Sequence, residues 1–135
     1  MLPWLSHCQQ EADISTRDIA QQFTQLCKDG QFEEAGRRFW AEDVVSREPM
    51  EGPMARLVGR KEVQAKGEWW YANHEVHATR TEGPFVHGDQ FALIFDIDMT
   101  ARTGEHAGQR MSMREVALYT VRGDKVAEER FFFGG

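Results

Sequence analysis

A chain of 135 residues with a formal net charge of -6 has room for one domain with a real core, and not for two. Its 16 basic and 22 acidic residues are interspersed, and the absence of a basic stripe argues against a nucleic-acid partner. No apolar run is long enough to span a membrane, MLPWL is unlike a signal peptide, and Cys8 and Cys27 stand at no metal-type spacing; a cytoplasmic chain with free thiols is expected.

Residues 1–14 show no period and read as an N-terminal arm, with Trp4 available to dock; residues 15–135 read as a single domain. Ser15 is placed as an N-cap, Asp18 follows three residues later, and Ile14 and Ile19 flank the cap as a hydrophobic staple. Ile19, Phe23, Leu26 and Cys27 then recur at helical spacing until Gly30 stops the helix. A second helix is predicted over Phe32 to Trp40, with Phe32, Ala35 and Phe39 on one face. Val44 to Pro49 reads as a brief strand ended by proline, followed by an irregular loop punctuated by Gly52, Pro53 and Gly59. A third helix runs from about Arg60 to Ala72, with Val63, Gly67 and Trp70 along one side. Strands follow at Glu75 to Glu82, after a Gly83-Pro84 break at Phe85 to His87, and then at Gln90 to Arg102, Gln109 to Arg122 and Lys125 to Phe133. Helices first and antiparallel strands later give an α+β class, with helices packed on one face of a sheet.

The most informative strand is Gln90 to Arg102. Phe91, Leu93, Phe95, Ile97 and Met99 make one apolar face, while Asp96 and Asp98 share the other. If Arg102 and Gln109 close the hairpin, Asp96 lies opposite Glu115 and Asp98 opposite Met113, with Tyr119 farther along. A one-residue slip sets the aspartates against Ser112 and Arg114 instead. The first register is preferred, because it also pairs Phe95 with Val116 and Leu93 with Leu118. Which face looks inward stays open.

Three segments carry a family likeness: WAEDVVSREP after the second helix, Gly59-Arg60-Lys61-Glu62 opening the third, and VALYTVRGDKVAEERFF near the end. Over roughly residues 15 to 133 the chain resembles the nuclear transport factor two-like superfamily, in particular its SnoaL-like polyketide cyclase and ketosteroid isomerase branch. The resemblance implies a cone: a strongly bent, mostly antiparallel sheet with three helices closing a concave pocket, and homodimers through the sheet. It also implies that an acid before a proline on the first strand abstracts a proton, which places Glu48, before Pro49, in that role. Where the isomerases carry a second, protonated acid, this chain has Ala117, with Glu115 the nearest acid. Their first-helix tyrosine has no equivalent between Ser15 and Asp29. The chain is therefore no ketosteroid isomerase, and the superfold hosts many reactions and mere binders.

If the acidic face turns inward, Asp96, Asp98 and Glu115 meet near Glu48, where they cannot all ionise cheaply. Such a site moves a proton on carbon next to a carbonyl. Tyr119 is placed to donate to a developing oxyanion and His74 to act as acid or base at the mouth. The histidines of His74-Glu75-Val76-His77 are three apart at a helix-to-strand junction, which is not the zincin spacing, so no metal is expected. Trp69, Trp70, Phe131, Phe133 and Phe39 are candidate walls for a small apolar ligand. Phe131 and Phe133 depend on the last turn. A two-residue Gly123-Asp124 turn puts Glu128, Arg130 and Phe132 on the face of Glu115, a three-residue loop Glu129, Phe131 and Phe133. The resemblance favours the longer loop. The sequence thus points to a cofactor-free isomerase, cyclase or hydro-lyase acting on an apolar carbonyl compound. The alternatives are a non-catalytic ligand-binding domain or a dimer module with a vestigial pocket.

Overall fold

The computed structural model describes the backbone of residues 3–134 and the side chains of residues 16–134. In chain order it has α1 (Pro3–Lys28), α2 (Phe32–Phe39), β1 (Trp40–Arg47), β2 (Arg56–Val58), α3 (Arg60–Asn73), β3 (His74–His87), β4 (Gln90–Ala101), β5 (Arg110–Arg122) and β6 (Lys125–Phe132). The strands form one open sheet in the order β2-β1-β6-β5-β4-β3. Only the β1–β6 pair is parallel. The α+β class with three helices on a mostly antiparallel sheet is what the chain adopts.

α1 starts at Pro3, not at Ser15. Proline is tolerated in a first turn, where its missing N–H has no intrahelical acceptor, and nothing between it and Ser15 breaks a helix. Ser15 therefore lies inside the helix, and Asp18 accepts a bond from Gln22 one turn on (3.0 Å). The expected docking of Trp4 and the pairing state of Cys8 lie outside the described side chains. β1 begins at Trp40, earlier than expected, and the loop after Pro49 folds Arg56–Val58 back onto Val45–Arg47 as β2. The break expected at Gly83-Pro84 is a bulge within a continuous β3, with Glu82 opposite Ile94 and Phe85 opposite Ala92. Gly83 has φ +124°, and a Cβ there would come 3.0 Å from the Ala92 carbonyl oxygen, so this bulge requires glycine.

The preferred β4–β5 register is one residue off. Asp96 lies opposite Arg114, Asp98 opposite Ser112 and Phe95 opposite Glu115. Charge decides it, because the preferred register would have set Arg114 beside Ile97 on the helix-covered face. As folded, Asp96 binds Arg114 at 2.9 Å and Asp98 binds Arg110 at 2.7 Å on the open face. Phe91, Leu93 and Phe95 then share the covered face with Ala117 and Tyr119, all buried. Phe23 of α1 fills that layer, 4.7 Å from the Tyr119 ring and 5.8 Å from Phe91. Each such aromatic stabilises the fold by about 1.5–3 kcal/mol through burial.

The last hairpin mixes the two readings. Its turn is the two-residue one, since Arg122 pairs with Lys125 and Val121 with Val126. The pairing then shifts, so that Thr120 faces Glu128, Tyr119 faces Glu129 and Ala117 faces Phe131. The extra residue is Ala127, a bulge that turns Glu129 and Phe131 onto the covered face without a longer loop.

Candidate functional site

A cavity of about 990 Å³ lies between the helices and the covered face of the sheet. Strand alternation supplies much of its wall: Ile97 and Met99 from β4, Glu115 and Tyr119 from β5, Glu129 and Phe131 from β6. On β1 the buried residues Val44 and Ser46 point inward, and Glu48 stands two positions farther on the same side. α3 contributes Val63, Lys66 and Trp70, one helical stripe.

A continuous hydrogen-bond network stands at one end. Ser46 and Glu129 are direct neighbours across the parallel β1–β6 pair, and the Ser46 hydroxyl donates to Glu129 Oε2 at 2.8 Å. Trp40 Nε1 donates to Glu129 Oε1 at 2.9 Å, so both oxygens of this carboxyl are held. Lys66 Nζ donates to Ser46 Oγ at 2.6 Å and to Glu48 Oε1 at 2.9 Å, and lies 5.1 Å above the Phe131 ring. The Lys66 and Glu48 side chains are only 13% and 15% exposed, which makes their ion pair much less screened than one at the surface.

Burial and like charge shape the acids. Burial, then the neighbouring carboxylates Glu48 and Glu129, push Glu115 up to about 7, with Lys66 opposing. Glu129 is 4% exposed, and burial raises its pKa against the pull of Lys66, Ser46 and Trp40. Burial lifts Tyr119 well above its ordinary value, which keeps it a phenol, and pushes the Cys27 thiol beside the cavity up to about 12. At neutral pH the cavity therefore holds an acid poised between its two forms beside an ion-paired carboxylate.

Of the residues expected at the site, Glu48, Glu115, Tyr119, His74, Trp69, Trp70, Phe131 and Phe133 line the cavity. His74 stacks on Trp70 at 4.5 Å and its Nδ1–H donates to the Trp70 carbonyl at 2.9 Å, which leaves Nε2 for other contacts. Asp96 and Asp98 are elsewhere: the observed register puts both on the open face, and Arg110 holds the Asp98 carboxyl below its ordinary range. Phe39 is buried in the core against Phe23, at 6.1 Å between rings, and is not part of the lining of this cavity. The sequence reading did not propose Lys66, Ser46 or Trp40, and it brought Glu129 to the face of Glu115 only through the longer loop, with no role. The signal for Lys66 was available, because it stands one turn from Val63 on the apolar stripe of α3. Among the described residues no cluster of three or more histidine, cysteine or acidic side chains could hold a metal ion, and no helix is long and apolar enough to cross a membrane.

Comparison with known proteins agrees with this geometry. A protein from Mesorhizobium loti, provisionally described as a SnoaL-like polyketide cyclase and as a carbohydrate phosphatase, is 46% identical over 86% of this chain and 97% of its own, with a TM-score of 0.81. At 15% identity, a provisional SnoaL-like polyketide cyclase from a Jannaschia species shares the fold, with 90% and 87% of the two chains covered and a TM-score of 0.70. So does a protein from Catenulispora acidiphila with a ketosteroid isomerase-like fold, solved with trimethylamine, at 16% identity, 74% and 72% coverage and a TM-score of 0.61. No curated protein matches the chain. Residues 14–133 match the SnoaL-like domain, nearly the whole length over which the helices and sheet enclose the cavity; the chain belongs to the SnoaL-like domain family.

Proposed function

We propose that this protein is an acid–base enzyme acting on a mid-sized, largely apolar carbonyl compound, as an isomerase, cyclase or hydro-lyase. Glu48 removes a proton from the carbon next to the carbonyl, and Glu115 in its protonated form delivers one to another atom of the same substrate. Chemistry of this kind runs on side chains alone. The observation that carries the reading is the convergence of Glu48 and Glu115 on one aromatic-walled cavity, with Glu115 raised to about 7 by burial and by its acidic neighbours. Trp70, Phe131 and Phe133 supply flat apolar surface for the ligand. The test is turnover of enolisable ketones by the parent and by Glu48→Gln. A loss of about 10²- to 10⁴-fold is expected for a general base. An unchanged rate on a compound that the parent converts sinks the assignment.

A second reading, a ligand-binding domain without chemistry, is favoured by one observation: Ala117 fills the position where the isomerases carry their protonated acid. Under that reading ligands shift thermal stability and none is converted. We also infer that two copies pair through the open face of the sheet. Phe85, Val116 and Phe132 lie there, 56%, 38% and 46% exposed, beside Arg80, Glu82, Asp96 and Arg114, a mixture of charges complementary to itself.

A further inference from the structure

Lys66 has three N–H donors. One goes to Ser46 Oγ and one to Glu48 Oε1; among the described residues no acceptor takes the third. The ammonium belongs to the cavity wall and sits on the Phe131 ring. An ammonium in a mostly apolar wall, with one donor unused, calls for an acceptor from whatever fills the cavity.

We propose that Lys66 is the oxyanion-binding group of this site, donating its remaining N–H to the carbonyl oxygen of the substrate. The inference rests on the reading of Glu48 as the base. In a ketone the oxygen and the acidic carbon are both bonded to the carbonyl carbon, so the base and the oxygen's donor must stand side by side. Glu48 and Lys66 do, at 2.9 Å. When the carbon–hydrogen bond breaks, its electron pair becomes the new carbon–carbon double bond, and the carbonyl π pair moves onto oxygen. The proton goes to Glu48 Oε2, while Oε1 stays on Lys66. Before the step the ammonium faces a carboxylate, and after it an enolate beside a neutral acid. Negative charge passes between two partners of one fixed cation, so the site reorganises little.

The same geometry separates the roles of the acids. β6 lies between β1 and β5, so Glu115 and Glu48 reach the cavity from different strands with β6 between them. Glu115, on its own strand, is assigned to proton delivery at a second atom of the substrate, a γ-carbon or a leaving hydroxyl. Glu48 then returns its proton, and Glu115 recovers one, through solvent in the open cavity. The substrate class is a planar ketone or 1,3-dicarbonyl compound with a second atom that accepts a proton.

The test uses 2-naphthol as an enolate mimic, followed by naphtholate absorbance. The parent is expected to bind it in the ionised form. Lys66→Met should weaken binding by about tenfold or more and lose the naphtholate signal, whereas Lys66→Arg keeps part of both. Glu48→Gln, with no carboxylate competing for the ammonium, should strengthen the signal. A folded Lys66→Met that binds and ionises naphthol like the parent overturns the proposal, as does a parent that never ionises it. If Lys66→Met does not fold, Lys66→Gln replaces it under the same criteria. Deuterium uptake from heavy water at the α-carbon of 2-tetralone separates the two claims. Loss of uptake in both the Glu48 and the Lys66 variants supports both. Loss in Glu48→Gln alone removes the role of Lys66 and leaves the base. Full uptake in Glu48→Gln removes the base itself.

Discussion

Glu115 carries the clearest pH signature in the molecule. Its pKa is raised to about 7 in the folded chain from an ordinary value of 4.5, so between those values the folded state binds more protons than the unfolded one. Its contribution to stability is full below about 4.5 and is lost as pH rises through about 7. Glu115→Gln should therefore leave stability nearly unchanged at pH 5 and raise it at pH 8, by on the order of 2 kcal/mol once solvent at the half-buried side chain is allowed for. Thermal unfolding of parent and variant at the two pH values checks this, and equal differences at both would refute it. Individual residues differed in how legible they were. Glu48 came into view through the family resemblance, whose acid-before-proline position it fills, and not through a pattern in the chain alone. For Lys66 the spacing from Val63 was a signal that did not decide, because a lysine at the edge of an amphipathic stripe looks like one whose head reaches water, and the neighbouring Glu48 and Ser46 keep this one inside.

At the scale of elements, the junction of α2 and β1 builds the site from behind. The Trp40 backbone N–H closes α2 on the Gly36 carbonyl, and its indole lies across Gly36 on the way to Glu129. A Cβ at Gly36 would stand 2.6 Å from the indole ring. Gly36→Ala should favour the helix by about 1 kcal/mol through propensity and lose more to overpacking, for a net loss of about 1–2 kcal/mol. Tryptophan fluorescence should move with it, as the indole leaves Glu129; an unperturbed spectrum and melting point would contradict the clash. Helix and strand existence was legible from period and breakers, but strand pairing was not. Apolar pairs alone left two registers for β4 and β5, and the deciding term was the cost of placing Arg114 beside Ile97. The inward turn of Phe131 was reached for the wrong reason, through a longer loop in place of the bulge at Ala127.

For the whole molecule, the sheet separates two surfaces with different work. The covered face encloses the cavity, and the open face carries Phe85, Val116 and Phe132 among paired charges. Parent protein should sediment as a dimer and Phe132→Glu as a monomer, with the cavity intact because Phe131 faces the other way. A monomeric parent would dismiss the pairing. The division between faces depends on one residue in β6. The bulge sets the parity of everything after it: with Ala127 left out of the ladder, Thr120 faces Glu128 and Tyr119 faces Glu129. If Ala127 entered the ladder opposite Thr120 instead, Glu128, Arg130 and Phe132 would turn inward and Glu129, Phe131 and Phe133 outward. The carboxylate between Trp40 and Ser46 would lose its place, and the aromatic under Lys66 would leave the wall. Related chains that lack this residue therefore still match position by position after it, whereas a chain that keeps the residue without the bulge exchanges the inventories of the two faces.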